Sequence, residues 1–311
     1  MNRRELVQRM GMFGVIGALP LGVTGRESES FQKREDGGSD ANIRGASPLK
    51  PPAQGSIPVA FVISKGAVVI DFCGPWAVFE TVYVPGREES PFRLYTVSGK
   101  KEVIQASGGL KIATDYSFAN APAPKVIVIP AQDGSDQAML EWIRESSKTA
   151  DLTMSVCTGA FVLAQTGLLS GKAATTHHSG YRKLAVDFPD VHVKRGARFV
   201  ETGNLATAGG LSSGIDLALR VVERYFGREA ATRTVDQMEY QGQGWLNPDS
   251  NNIYAKVPIS TEEHPLCPVC EMEVDRKVAP TSIYRSKTYY FCSDADKAAF
   301  KANPGKYLES Q

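Results

Sequence analysis

Ser155-Val156-Cys157-Thr158-Gly159-Ala160 joins an apolar stretch, Leu152–Val156, to a helix-forming one, about Ala160 to Leu169. A small-residue turn between a buried strand and a helix lifts one side chain from the end of a sheet into a cleft. Here that side chain is the thiol of Cys157. The first N–H groups of the following helix favour thiolate over thiol, so the reading predicts a pKa below the free-cysteine value of about 8.5. The alternative is that Cys157 is a small buried apolar residue, a common state for free cysteine.

Around this junction the chain alternates strand and helix. Pro58–Ile63 and Val126–Pro130 are short apolar runs of the kind that form buried parallel strands. Phe92–Ser98 alternates like a strand, Met139–Ser147 reads as a helix, and Lys172–Thr176 and Val191–Val193 read as further short strands. Phe199–Thr202 and Leu205–Ala208 are placed to pair across Gly203-Asn204. Ser212–Phe226 carries Ile215, Leu219, Val222 and Phe226 at helical spacing, with Gly227 as its stop. The pattern predicts an α/β sandwich around a mostly parallel sheet over residues 57–246.

The 311 residues are 42% hydrophobic and 22% charged, ordinary for a globular protein. With 35 basic and 34 acidic side chains, the charge gives no electrostatic footprint for nucleic acid. Arg3-Arg4-Glu5-Leu6 followed by the glycine-rich apolar run Met10–Val23 resembles a twin-arginine export signal over residues 1–25. The run is short for a membrane span and no cysteine ends it. We therefore expect an exported, periplasmic protein without a stable membrane anchor after signal removal. Residues 26–56, rich in Gly, Ser, Pro and charge, read as a disordered linker.

Three segments carry a family resemblance. They are Gly66-Ala67-Val68-Val69-Ile70-Asp71-Phe72-Cys73-Gly74-Pro75, the Cys157 turn, and Gly203–Gly210 with Ser213-Gly214-Ile215-Asp216. Residues 57–246 resemble the ThiJ/PfpI superfamily, with the flavodoxin-like, class I glutamine amidotransferase-like fold. The Asp-Phe-x-Gly-Pro and Cys-Thr-Gly pair is most similar to the isonitrile hydratase branch and to the sensor halves of certain AraC-type regulators. The resemblance implies a small-molecule substrate, no cofactor in the catalytic domain, and a homodimer.

It also orders the site residues. Cys157 is the nucleophile and Asp71 the acid/base, with a pKa expected above the usual ~3.9 because burial beside sulfur disfavours its charge. The alternative for Asp71 is a helix cap ahead of Trp76–Thr81. Thr158 offers its N–H and hydroxyl to developing negative charge, or else merely starts the helix. His177, in Ala-Thr-Thr-His, orients substrate or is a strand-end histidine satisfied by backbone. Glu80 and Cys73 read as structural. A protease-like relative would have histidine after the cysteine, where this chain has Thr158.

After a linker at 247–263 the composition changes. His264-Pro265-Leu266-Cys267-Pro268-Val269-Cys270, Tyr289-Tyr290-Phe291-Cys292-Ser293 and a terminal Asn303-Pro304-Gly305-Lys306-Tyr307 make residues 264–311 resemble a YHS domain, a small α+β metal-binding-type module. A unit this small usually needs a metal or a staple. Cys267, Cys270 and Cys292, completed by Asp296 or His264, are candidate ligands for zinc or copper(I). A Cys267–Cys270 or Cys270–Cys292 disulfide is the alternative, favoured by export.

The expected activity is a cysteine-dependent hydro-lyase adding water to a small carbon–nitrogen multiple bond, such as an isonitrile. The alternatives are a non-catalytic small-molecule or redox sensor, and a metal- or electrophile-stress protein that uses both sets of thiols.

Overall fold

The computed structural model describes residues 46–308. The export-signal reading and most of the expected linker lie outside the described residues. The end of that linker is tied down: the Leu49 N–H donates to the Arg224 carbonyl at 2.8 Å, and Arg224 Nε donates to the Ser47 carbonyl at 3.1 Å. Among the described residues no helix is long and apolar enough to cross a membrane.

In chain order the domain begins with β1 (Ile57–Val62), α1 (Val69–Thr81) and β2 (Phe92–Ser98). A small hairpin, β3 (Val103–Gln105) and β4 (Lys111–Ala113), and the short β5 (Tyr116–Ser117) follow. Next come β6 (Val126–Ile129), α2 (Gln137–Ser147), β7 (Leu152–Val156) and α3 (Gly159–Gln165). The rest is β8 (Ala173–Ala174), α4 (Tyr181–Asp187), β9 (His192–Val193), β10 (Phe199–Thr202), β11 (Leu205–Ala208), α5 (Ser213–Phe226) and α6 (Arg228–Gln237). Seven strands form one sheet in the order β10-β11-β7-β6-β1-β2-β5. Only the β10–β11 pair is antiparallel, the hairpin expected across Gly203-Asn204.

Alternation along the strands builds two cores. In β1, Ile57, Val59 and Phe61 face a layer with Phe79 of α1 and Leu217 and Val221 of α5. Ala60 and Val62 face the opposite layer, with Ile143 of α2, Leu163 of α3 and Leu184 of α4. Burial on both faces explains why β1 and β6 read as nearly continuous apolar runs; β7 is equally buried but alternates, with Thr153 and Ser155 between its apolar residues. The sheet order reverses between β1 and β6. Parallel sheets open a crevice beyond the carboxyl ends of their strands at such a point.

Two expectations about element length are corrected. The helix after Cys157 ends at Gln165, because a turn bonded from the Gly167 N–H to the Ala164 carbonyl stops it. The strand expected over Lys172–Thr176 shrinks to Ala173–Ala174; beyond it, the Thr175 N–H bonds the Thr207 hydroxyl rather than a strand partner.

The C-terminal module is built from β12 (Thr281–Tyr284), β13 (Lys287–Tyr290), α7 (Asp294–Ala302) and α8 (Pro304–Leu308). Its own core gathers Val269, Phe291, Phe300 and Tyr307 around Cys267 and Cys270. Val186 of α4 packs against this cluster, so the module rests on the larger domain. The segment between them is also pinned. The Arg198 N–H bonds the Pro248 carbonyl, Arg198 Nη1 bonds Asn251 Oδ1 at 3.3 Å, and the Tyr254 ring stacks on His178.

Candidate active site

Cys157 follows β7 directly and sits at φ +58°, a backbone region that side-chain-bearing residues seldom occupy. Its N–H is held by the carbonyls of Ala208 and Gly209, at 3.2 and 2.9 Å, at the end of neighbouring β11. Gly159 makes the turn feasible. A Cβ there would lie 2.3 Å from the Ile129 carbonyl oxygen, so only glycine lets α3 begin this close to β6. The result is a strand-to-helix elbow with the thiol at the carboxyl end of the sheet.

Asp71 reaches the same place from β1. The loop after β1 is laced to the end of β6 by a bond from the Val68 N–H to the Ala131 carbonyl at 2.8 Å. The Ala131 N–H in return donates to Asp71 Oδ2 at 3.1 Å. Asp71 is in the first turn of α1 and is fully buried; it does not cap the helix, which starts at Val69 rather than near Trp76. Oδ1 is buried with no N–H or O–H donor. Burial raises the Asp71 pKa to about 7, against the opposing pull of the Ala131 N–H and the Cys157 thiol.

The expected depression of the Cys157 pKa is not what the structure has. Burial, reinforced by the Asp71 charge, pushes the thiol up to about 11. Hydrogen bonds from the N–H groups of Thr158 and Leu211 and from the Thr158 hydroxyl act the other way and are outweighed. The sequence argument counted the helix N-terminus but not the dry pocket, nor the carboxyl inside it. At neutral pH the resting pair is therefore a thiol beside a half-ionised carboxyl.

Thr158 occupies the N-cap position of α3 without a capping side-chain bond; its hydroxyl serves the sulfur instead. Leu211 is the member that sequence reading missed. It has φ +48°, follows Gly209-Gly210, and presents its N–H to the sulfur. Arg198 holds this turn: Nε donates to Asp216 Oδ2 at 2.6 Å and Nη2 to the Ser212 hydroxyl at 3.0 Å. A glycine pair ahead of a helix was the available signal, but which N–H it aims could not be read from it.

His177 lies against the same turn. A Cβ on Gly210 would fall 2.3 Å from the His177 Cδ2 atom, so the ring packs directly against that glycine. Its Nδ1 pairs with the Ser179 hydroxyl at 2.8 Å, and burial together with neighbouring His178 lowers its pKa. The preceding Thr176 donates its hydroxyl to the Cys157 carbonyl at 2.8 Å. Glu80 and Cys73 are exposed.

The second cluster is in the C-terminal module. One ligand atom from each of Cys267, Cys270, Cys292 and Asp296 lies within 4.8 Å of the others. Asp296 Oδ2 is 3.5 Å from the Cys267 sulfur and 3.2 Å from that of Cys292, and the Cys270 and Cys292 sulfurs are 3.4 Å apart. All five cysteines of the chain are free. His264 is not in the cluster; it is exposed and pairs with Glu273 at 2.5 Å. Cys267 is drawn down to about 6, first by its bond with Cys270, while burial holds Cys292 up at about 11. Three sulfurs and a carboxylate in one shell suit zinc or copper(I).

The DJ-1/PfpI family model matches residues 58–224, and the chain belongs to that family. It is 30% identical over 190 residues to an isonitrile hydratase of Pseudomonas putida, covering 60% of this chain and 79% of the relative. It is 24% identical over 154 residues to the HTH-type transcriptional regulator GbdR of Pseudomonas aeruginosa, covering 48% of this chain and 42% of the regulator. The crystal structure of a ThiJ/PfpI family protein from Pseudomonas syringae superposes with a TM-score of 0.55 at 26% identity, covering 66% of this chain and 84% of that one.

Proposed function

We propose that the domain of residues 57–246 is a thiol-dependent hydro-lyase that adds water to a small carbon–nitrogen multiple bond, with an isonitrile as the substrate type. The observation that carries this reading is the burial of Asp71 against Cys157, with the N–H groups of Thr158 and Leu211 on the same sulfur. As the Cys157 sulfur bonds the terminal carbon of the isonitrile, Asp71 takes the thiol proton and passes it to that carbon. The product is a thioimidate, S–CH=N–R. Water then adds to the same carbon: Asp71 takes one of its protons and passes it to nitrogen, giving S–CH(OH)–NH–R, and the hydroxyl proton later goes by way of Asp71 to the departing sulfur. Collapse breaks the C–S bond, leaving an N-substituted formamide and restoring the thiol. Two fixed N–H donors on sulfur ease its departure as thiolate.

The 30% identity to an isonitrile hydratase supports this chemistry. Formamide release from a panel of small isonitriles, measured beside Cys157→Ser, tests it. Turnover is expected from the native protein only; equal turnover by the variant removes Cys157 from the mechanism. A second reading, a non-catalytic sensor, draws support from the match to a transcriptional regulator. It predicts saturable ligand binding without product in the same panel.

For the C-terminal module we propose a zinc or copper(I) site ligated by Cys267, Cys270, Cys292 and Asp296. Its support is the convergence of four donors around a small core. Equilibrium dialysis against Cys270→Ser tests it, with one tightly held ion per native chain expected.

A further inference from the structure

Arg182, in α4, is buried, yet among the described residues its guanidinium bonds only the C-terminal module. Nε donates to the Pro268 carbonyl at 2.7 Å, Nη1 to Glu271 Oε1 at 3.4 Å, and Nη2 to the Tyr307 carbonyl. Pro268 lies between Cys267 and Cys270, and Glu271 follows Cys270. Glu271 sits at φ +62°, donates its N–H to the Cys267 carbonyl at 2.8 Å, and is gripped again by Arg195 at 2.8 Å. The turn that carries two of the sulfurs is thus the surface that Arg182 and Arg195 hold.

The helix α4 grows out of the segment 176–180, which ends two residues before Arg182. Thr176 bonds the Cys157 carbonyl, and the His177 ring packs on Gly210, whose neighbour Leu211 puts its N–H on the Cys157 sulfur. His178, Arg195, Tyr254, Cys270 and Glu271 line one cavity of about 360 Å³ between the two parts. An unbroken run of bonded and packed groups therefore joins the four-donor cluster to the donors on the thiol.

We propose that occupancy of the Cys267/Cys270/Cys292/Asp296 site by a metal ion is linked to the reactivity of Cys157, with Arg182 as the positioning residue that connects them. The inference rests on the metal reading of the module. An ion drawing four donors into a tetrahedral shell fixes the 267–271 turn. Fixed acceptors then hold a nearly buried guanidinium, which is costly to leave incompletely paired. Without the ion the turn, α4 and the 176–180 segment relax together, and the N–H groups on the sulfur lose their alignment. Linkage is reciprocal, so the state of Cys157 must alter metal affinity in turn.

The test uses the full chain with Cys73→Ser and zinc chloride as the probe. Bound zinc is counted by dialysis. The initial rate of Cys157 alkylation by iodoacetamide is read peptide by peptide with mass spectrometry, with and without zinc. We expect zinc to raise that rate about 5-fold or more, the lower end of ordinary site-to-site coupling. Arg182→Lys, which keeps the charge but not the forked donors, should bind zinc with unchanged stoichiometry and lose the acceleration. Asp187→Asn, which removes the charge facing Lys183 and Lys306, should keep it. If Arg182→Lys fails to fold, the reciprocal measurement decides. Protein alkylated at Cys157 while zinc protects the module, then stripped, should bind zinc with an affinity several-fold different from the unmodified chain. Stoichiometric zinc with equal alkylation rates and equal affinities overturns the linkage and leaves the metal site standing. No bound zinc or copper(I) overturns both.

Discussion

The Ala131 N–H donates to Asp71 Oδ2 at 3.1 Å, and this bond turns a carboxyl in the first turn of α1 toward the end of the sheet where Cys157 emerges. The two groups titrate as a pair, and the working form carries one proton between them. Below about 7 the pair holds two protons and Asp71 cannot accept one; near about 11 the pair has none to give. kcat/KM for isonitrile hydration should therefore rise with pH through about 7, hold, and fall toward 11. Asp71→Asn should lack the rising limb. A pH-rate profile of both proteins checks this.

Asp71 also bears on stability. Its pKa in the folded protein, about 7, is above the unfolded value, so the fold binds a proton more tightly than the unfolded chain does. The native protein should lose stability as pH rises from about 4 to about 7. Asp71→Asn removes that loss. The variant should be more stable by about 2–4 kcal/mol at pH 8, and the difference should vanish near pH 4. Denaturant unfolding at the two pH values measures it.

Gly159→Ala places a methyl group against the Ile129 carbonyl, where backbone cannot yield easily. A cost of about 1–3 kcal/mol is expected from the overpacking. The elbow must shift to relieve it, so turnover should fall more than the stability change alone explains. Activity and unfolding measured on the same preparation separate the two.

Gly210→Ala meets the His177 ring instead, and a ring can swing away. The variant should fold and lose activity to the same degree as His177→Ala. The double variant should be no worse than either, because both changes act on one contact. Additive losses would mean that Gly210 matters through Leu211 alone.

Removing metal should weaken the module first. Its core is small, and the proposed ion would tie its strand end to its Cys267–Cys270 turn, a tie that a chelator or Cys292→Ser would remove. We expect a separate transition lowered by about 5 °C or more in calorimetry, with the larger domain's transition moving less.

Much of this architecture was legible because apolar runs and glycine positions are local signals. Phe92–Ser98, Leu152–Val156 and the Phe199–Ala208 hairpin coincide with the observed strands residue for residue. The α4 segment was not foreseen: Tyr181–Asp187 is short and turns its charged Arg182 inward, so no apolar stripe marks it. At the site, Cys157, Asp71, Thr158 and His177 were readable as candidates. The Cys157 pKa was misjudged because burial is a property of the assembled pocket, and Leu211 was missed because a backbone N–H carries no sequence signature. In the module, Asp296 is one helical turn from Cys292, while His264 is drawn to Glu273 on the surface.

The segment at 248–255 is a splint rather than a leash. Pro248, Asn251 and Tyr254 each engage the larger domain, and a Cβ on Gly196 would meet Ala255 at 2.7 Å. The module is thus no interchangeable bead on a string. Replacing residues 248–255 with a free coil would remove the Pro248, Asn251 and Tyr254 contacts and leave Val186, Arg182 and Arg195 to hold the module alone.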